Sequence, residues 1–566
     1  MSSPSFPEPP TQIPPTSAEE VERIVERLAS RKAAWVATDI PKRIEYLRSV
    51  IEGVATVARD WVADGSRNKG FSPDDVLAGE EWLAGPVTTI RNARLFMEAL
   101  AANGQPKVPN IERGPDGRLI AKVFPADLRD RLMFAGLSGE IWLEPGKEAT
   151  QGAIYREKNK GEGKVGLVLG AGNVGSIAPM DALTKLFAEN EVVIVKMNPV
   201  NAHVGPHLER AFKALIDDGF MAIVYGGADV GAQLANHPKV DTLHVTGSDK
   251  TYDAIVWGRD PAEAARRKAA NEPLNTRPFT AELGCVTPVL VVPGDWSSSD
   301  LDFHARNIVG MVTQNASFNC NAAKVMVLDA SWPLRERFIE RVQHHMSVAA
   351  PRKAYYPGAR DRWQRFIDNY PQSKVLGQDG EGIVPWTYIP SVPPVQGEYA
   401  LNNEAFCGVL AETSIEGGGP AGFMEKATRF ANEQCWGTLS IMVIADNEAQ
   451  RKHEDAFNAM IRDLRYGGIA INCWAGLIYG LVVTTWGAFP GHPPTDIRSG
   501  AGTVHNSYLL DHPERSVLRA PFRMNPTPVW FADHKNLRAL GEAMLGMERS
   551  PSWMGLIKVA TRALPG

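Results

Sequence analysis

Cys320 stands between two asparagines in the stretch NASFNCNAAK, residues 315–324, just after an apolar run, FHARNIVGMV, that reads as a helix. A cysteine so placed is either a small buried hydrophobe or a nucleophile presented where a helix runs into a turn. A free thiol has a pKa near ~8.5, so a nucleophilic role needs a nearby base or a set of amide dipoles. The other cysteines, Cys285, Cys407, Cys435 and Cys473, are scattered without a C-x-x-C pair. That pattern speaks for structural thiols in a reducing compartment. The 12 histidines show no H-E-x-x-H pattern, and no metal site is expected. A second chemical signal is GLVLGAGNVGS, in which Gly170, Gly172 and Gly175 form G-x-G-x-x-G between a strand and a helix. This matches a dinucleotide fingerprint, but the next strand ends VIVKMNPVN, with Lys196 where an acid should hold the ribose. Asn173 inside the loop points to a different use.

The elements that must position these residues alternate from residue 163 onward. KVGLVLG, EVVIVKM, MAIVYGG and TLHVTG read as strands, separated by the helical segments SIAPMDALTKLFAEN, GPHLERAFKALIDDG and VGAQLANHP. Such alternation predicts a mainly parallel sheet with helices on both faces. The charged stretch 256–279 reads as a solvated excursion. A second alternating region runs through TPVLVVPG, KVMVLD, GTLSIMVIAD and GIAIN. Residues 17–62 read as helix, starting at a capping Ser or Thr, and a further helix through RNARLFMEALAANG stops at Gly104. RLIAKVFP and GEIWLEPG read as strands of a sheet extension reaching towards a partner. The Pro-rich start, residues 1–16, reads as a disordered leader. The uncharged stretch 469–489 is long enough to span a bilayer, but its composition favours a buried strand followed by a pocket-lining loop.

With these pieces in order, the chain resembles the aldehyde dehydrogenase superfamily. FTAELGCVTPVLVV resembles E-L-G-G-K-S-P, NASFNCNAAK resembles N-x-G-Q-x-C-x-A, AGNVGSIAP is similar to P-W-N-F-P, and VIVKMNP resembles V-x-K-P-S. HVTGSDK, NNEAFCGVL and AINCWAG resemble that family's F-T-G-S, E-E-x-F-G-P-V and V-N segments. The resemblance spans roughly residues 20–520. It implies an α/β fold in three parts: two α/β domains with mainly parallel sheets, and a small bridging β oligomerisation domain. The dinucleotide-binding domain would take residues 17–125 and 160–281, and the catalytic domain 282–485. Residues 126–159 and 486–566 would supply bridging elements and a C-terminal extension.

The same resemblance implies Cys320 as the nucleophile, Glu282 as the general base and Asn173 as an oxyanion donor. It implies Lys196, Gly227, Gly247, Ser248, Glu404 and Phe406 as contacts to NAD or NADP. Trp474, Tyr479 and Trp486 would line an apolar substrate entrance. The expected reaction oxidises a small-molecule aldehyde to an acid through a cysteine thioester. Coenzyme A as acyl acceptor, or the reverse acyl-thioester reduction, is the near alternative. A cysteine hydrolase using His304 or His345, and a non-catalytic relative kept for binding or assembly, are the alternatives of other classes. Each residue also has a structural reading: Lys196 as a surface charge, Ser248 as a helix cap, Phe406 as core.

Departures from the family pattern stand at Ser317-Phe318, in place of Gly-Gln, and at Cys285, where a side chain could crowd the cofactor. Tyr252 replaces a glycine near the pyrophosphate, and Pro199 replaces a ribose-binding acid, which leaves both NAD and NADP open. PSWMGLIKVATRAL, near the C-terminus, reads as an amphipathic helix that packs on a partner subunit or covers the substrate tunnel. The net charge of -5 gives no sign of a nucleic-acid partner. No membrane span is expected, and the reading is of a cytoplasmic homodimer or homotetramer.

Overall fold

The structure is a computed structural model that describes residues 13–157 and 161–564. Most of the Pro-rich leader therefore lies outside the described residues. Its last residue, Thr16, is fixed: its N–H donates to the Tyr225 carbonyl and its hydroxyl oxygen accepts from the Tyr225 N–H, both at 3.0 Å.

Two sheets carry the molecule. The first has the strands Val165–Leu169, Val192–Lys196, Met221–Val224, Thr242–Thr246 and Phe279–Glu282, all parallel, with the short strand Gly500–Ala501 added antiparallel to Phe279–Glu282. Val165–Leu169 lies in the middle. The chain winds outward to Met221–Val224 on one side and to Phe279–Glu282 on the other. Every residue of Val165–Leu169 and Val192–Lys196 is buried, as runs of Val, Ile and Leu covered on both faces must be. In such a sheet, ligands meet the crevice at the carboxyl ends of the strands.

The second sheet has eleven strands. Thr387–Ile389, Val409–Ile415, Val325–Asp329, Pro288–Val291, Ser440–Ile444, Gly468–Ile471 and Pro513–Arg519 run parallel in that order. Lys374–Val375 adds antiparallel at one edge. At the other edge Ser138–Leu143, Leu119–Phe124 and Asn110–Arg113 form an antiparallel arm on Pro513–Arg519. The two α/β parts and the β extension expected from the sequence are thus all present. The segment 486–566 serves several of them at once. Gly500–Ala501 edges the first sheet, Pro513–Arg519 joins the arm to the second, and the helix Leu537–Arg549 packs on Ala78–Trp82 and Thr88–Ala101, with Trp553–Ala563 packed on it.

The helical N-terminus is two helices, Ala18–Ala37 and Ile40–Asn68. Ser17 caps the first and Asp39 the second, with Pro41 in the first turn, where its missing N–H costs nothing. Residues 261–270 of the charged stretch form a helix with no buried residue, a solvated excursion in fact. The uncharged stretch 469–489 ends the buried strand Gly468–Ile471 and continues as a six-residue helix, Gly476–Leu481. Among the described residues no helix is long and apolar enough to cross a membrane.

Candidate active site

Cys320 is delivered by the long helix Ser298–Thr313, whose Ser297 capping box fixes its start. After Gln314 the backbone turns left-handed for three consecutive non-glycine residues, Asn315, Ala316 and Ser317, with φ of 53°, 55° and 68°. Such a run is strained and persists only when its surroundings over-determine it. They do. Asn315 donates from Nδ2 to the Asn173 carbonyl at 3.0 Å and to Asn319 Oδ1 at 3.0 Å, and its N–H donates to Glu80 Oε2 at 3.2 Å. Lys69 Nζ donates to Asn315 Oδ1, to the Asn173 carbonyl and to Glu81. The Tyr355 hydroxyl donates to the same Asn315 oxygen at 2.9 Å. Two buried side chains from distant segments thus pin the Asn173 loop to the cysteine loop. On the far side of Cys320, Lys324 Nζ donates to the carbonyls of Asn319, Cys320 and Ala322. Phe318, where the family pattern has Gln, fills an aromatic cluster with Tyr355, Tyr356 and Phe406.

The strand Phe279–Glu282 ends on Glu282, which is 4% exposed. Its Oε1 accepts from the Trp486 indole N–H at 2.5 Å and lies 3.7 Å from Cys320 Sγ. Burial, and then the Asp181 carboxylate, push the Glu282 carboxyl up to about 7, against the pull of the Trp486 hydrogen bond. Burial also pushes the partly exposed Cys320 thiol well up, with Glu282 and Glu404 adding to it and Lys324 opposing. The resting group is therefore a thiol hydrogen-bonded to a carboxyl able to take its proton near neutral pH. Asn173 is buried and donates from Nδ2 to the Phe318 carbonyl at 2.9 Å, which leaves one amide hydrogen beside the cysteine loop.

The remaining residues singled out in the sequence fall on the carboxyl edge of the first sheet or beside the cysteine loop. Lys196 ends its strand, and Gly227 precedes the helix Ala228–Asn236. Gly247 and the exposed Ser248 precede the helix Asp249–Val256, which Ser248 caps. Glu404 sits 3.4 Å from Lys324 Nζ and accepts from the Cys285 N–H. Phe406 has φ 43° and packs under Arg362. Trp474 donates its indole N–H to the Asn321 carbonyl at 2.9 Å, and the Tyr479 hydroxyl meets Ser176 Oγ at 2.8 Å; both aromatics are part-exposed beside the thiol loop. Trp486 is placed differently from the expected entrance: it is 1% exposed and acts as the partner of Glu282. Cys285 does not crowd the edge. Its Sγ turns inward towards the carbonyls of Trp436 and Ser440. Tyr252 is buried and stacks on Phe279 at 4.8 Å.

Histidine chemistry at the thiol fails on geometry. His345 pairs with Asp302 at 2.9 Å, and His304 packs on Phe522 at 4.3 Å. Among the described residues no histidine is hydrogen-bonded to Cys320, so the hydrolase reading is withdrawn.

The edge fits a dinucleotide. Among the described residues nothing accepts from the Lys196 ammonium, which burial brings down to about 8 against the pull of Asp229. A Cβ at Gly247 would touch only Val245 Cγ2, at 3.6 Å, so a ligand can approach that backbone. The G-x-G-x-x-G loop is different. A Cβ at Gly172 would sit 2.7 Å from Asn198 Oδ1, and one at Gly175 would sit 2.9 Å from the Trp61 indole nitrogen. These glycines serve internal packing, and the fingerprint they spell is incidental. Lys69, Tyr355, Lys324 and Asp181 carry no motif of their own, and only the fold reveals them.

Residues 165–354 match the sequence model of the aldehyde dehydrogenase family. A search of curated protein sequences found no match. Solved structures match throughout. The NADP-dependent glyceraldehyde-3-phosphate dehydrogenase of Bacillus halodurans C-125, complexed with NADP, is 16% identical over 92% of this chain and 95% of its own, with a TM-score of 0.61. The aldehyde dehydrogenase KauB of Pseudomonas aeruginosa is 17% identical over 88% and 89%, with a TM-score of 0.62. An NAD-dependent aldehyde dehydrogenase of Sinorhizobium meliloti is 17% identical over 93% and 92%, with a TM-score of 0.60. Residues 165–354 thus match the aldehyde dehydrogenase family model, and the described residues share the fold of these dehydrogenase structures.

Proposed function

We propose that the protein is an NAD(P)-dependent aldehyde dehydrogenase in which Cys320 is the nucleophile and Glu282 the base. The observation that carries this reading is the 3.7 Å contact between Cys320 Sγ and Glu282 Oε1 at the carboxyl edge of a dinucleotide-type sheet. Glu282 takes the thiol proton as the sulfur attacks the aldehyde carbon. The free Asn173 amide hydrogen and a backbone N–H of the cysteine loop meet the oxyanion; losing one such donor costs about 3 kcal/mol in comparable sites. The bound nicotinamide would accept the hydride. Lys196 would hold the adenosine ribose, Gly227, Gly247 and Ser248 the pyrophosphate side, and Glu404 and Phe406 the nicotinamide ribose. Once the thioester has formed and Glu282 has given up the thiol proton, Glu282 activates water; the carbon–sulfur bond breaks, and the water proton returns to the sulfur as the acid leaves.

A carboxyl poised near 7 beside the sulfur favours water over coenzyme A as acceptor, because a thiol nucleophile needs no such base. Trp474 and Tyr479 suit an apolar aldehyde. With Pro199 where an acid would repel a 2′-phosphate, Lys196 can serve either NAD or NADP. The arm Asn110–Leu143 suits a homodimer or homotetramer.

The test is a panel of short, long and aromatic aldehydes with each cofactor, with and without coenzyme A, following absorbance of the reduced nicotinamide. Turnover to the free acid is expected, and Cys320→Ser is expected to abolish it while cofactor binding persists. A thiol variant that still turns over would sink the reading.

A further inference from the structure

Behind Glu282 lies a polar file that the reaction above leaves unexplained. Side chains alternate along a strand, so His244 and Thr246 share one face of Thr242–Thr246, as Thr280 and Glu282 share one face of Phe279–Glu282. The parallel register sets His244 beside Thr280 and Thr246 beside Glu282. Asp181, from the helix Ile177–Leu183, reaches down onto this patch. Its Oδ2 accepts from the Thr246 hydroxyl at 3.2 Å and lies 3.3 Å from His244 Nε2. His244 Nδ1 is 2.9 Å from Thr280 Oγ1. Asp181 and His244 are 1% and 3% exposed, whereas Thr280 is partly open to solvent. The file therefore runs from the buried base to the surface.

At its inner end the polar atoms are not satisfied. Glu282 Oε2 and Asp181 Oδ1 are both buried without a hydrogen-bond partner, and so are both ring nitrogens of His505, which packs on Tyr479 at 4.6 Å. Buried polar atoms are rarely orphaned, and a group of them marks a place where water sits.

We propose that Asp181 and His244 form a proton relay that empties Glu282 of the thiol proton once the thioester has formed and delivers that proton to solvent through Thr280. This rests on the reading of Glu282 as the base. Thiol attack and hydride departure leave a thioester and a protonated Glu282, which must lose that proton before it can take one from water. The Glu282 proton then passes through one water to Asp181 and on to His244 Nε2. The Nδ1 proton of His244 moves to Thr280 Oγ1, the hydroxyl proton of Thr280 leaves to bulk, and the imidazole tautomer resets. No electrons change hands in these transfers. The other ionisable groups around the file are Cys320, Tyr479 and His505. Burial holds the Tyr479 hydroxyl well above its ordinary range and brings His505 down to about 4, so neither competes for the proton at neutral pH.

The test uses the full chain, a turned-over aldehyde and either cofactor, and compares Asp181→Asn and His244→Gln with the unaltered protein. The first-turnover burst of reduced nicotinamide should keep its amplitude, because it precedes the step the relay serves. Steady-state kcat should fall about a hundredfold, with KM falling in parallel so that kcat/KM is kept, because the slowed step follows thioester formation. Added imidazole or formate should restore it in proportion to concentration, with a larger solvent deuterium effect. Equal steady-state rates in the variants overturn the relay alone. Loss of turnover that no small base rescues assigns the pair a structural role and also overturns it. Absence of a burst in the unaltered protein overturns the dehydrogenase reading and the relay together.

Discussion

Glu282 is tuned by one hydrogen bond. Trp486 donates to the charged form of its carboxylate and so opposes the rise that burial imposes. With the carboxyl near 7, activity should climb as pH passes through that value, because only the ionised form accepts a proton. Trp486→Phe keeps the ring and removes the donor. A hydrogen bond to a charged group is worth about 1.5–3 kcal/mol, so the rising limb of the kcat profile should move to higher pH by about one unit or more. A profile that stays in place would show that Trp486 only packs. Cys320, Glu282, Asn173 and Lys196 could be singled out as candidates in the sequence because each sits in a short local pattern. The sequence could not show the role of Trp486, which comes from a stretch whose aromatics look alike. Nor could it show Lys69 and Tyr355: they reach Asn315 from 246 and 40 positions away along the chain, and proximity made by folding leaves no local mark.

The left-handed turn at 315–317 connects the helix Ser298–Thr313 to the Cys320 loop. Ala316 gains nothing from its side chain at φ 55° and bears the penalty of that region, about 1–2 kcal/mol for a residue with a Cβ. Ala316→Gly is expected to raise the unfolding free energy by about 1 kcal/mol in urea titrations, less the entropy that glycine adds to the unfolded chain. A second element, the helix Leu537–Arg549, is riveted by a buried pair. Glu548, 2% exposed, accepts from Arg91 at 2.7 Å and Arg94 at 2.6 Å. Although burial alone would raise it, the two guanidinium groups hold its carboxyl below the usual range. Glu548→Gln leaves two guanidinium groups short of a counter-charge and should cost about 3–5 kcal/mol by calorimetry or urea unfolding. Elements with local signals were readable. Asp39 and Pro41 mark a helix start, and Gly104, at φ 74°, marks a stop. The break at Phe212, which splits 205–217 into two helices, has no such signal. Packing against the long helix Ile40–Asn68 accompanies it, with the Gly53 Cβ position only 2.4 Å from the Ala211 carbonyl oxygen.

At the scale of the whole molecule, the two C-terminal helices pack on each other. Leu540, Ala543, Met547, Leu556 and Val559 form a small core between them, and Leu537 lies against Gly79 of the helix Ala78–Trp82. A Cβ at Gly79 would stand 2.4 Å from the Leu537 backbone. Gly79→Ala should therefore wedge the pair away, cost about 1–3 kcal/mol, and expose 537–564 to limited proteolysis. Alternating strands and helices announced the two sheets, but the destination of the last eighty residues stayed hidden because their strands are short and their partners distant.

Arg91 also donates to the Leu481 carbonyl, in the segment that holds Tyr479 and Trp486. This single guanidinium therefore ties the end of the chain to the wall around the thiol, and that has a consequence for biosynthesis. Glu282 emerges from the ribosome about two hundred residues before Trp486, an interval of roughly 10–40 s at ordinary translation rates. Glu548 follows later still. The nascent chain thus carries its sulfur and carboxylate in an unfinished setting for much of its synthesis, and competence arrives only with the closing segment.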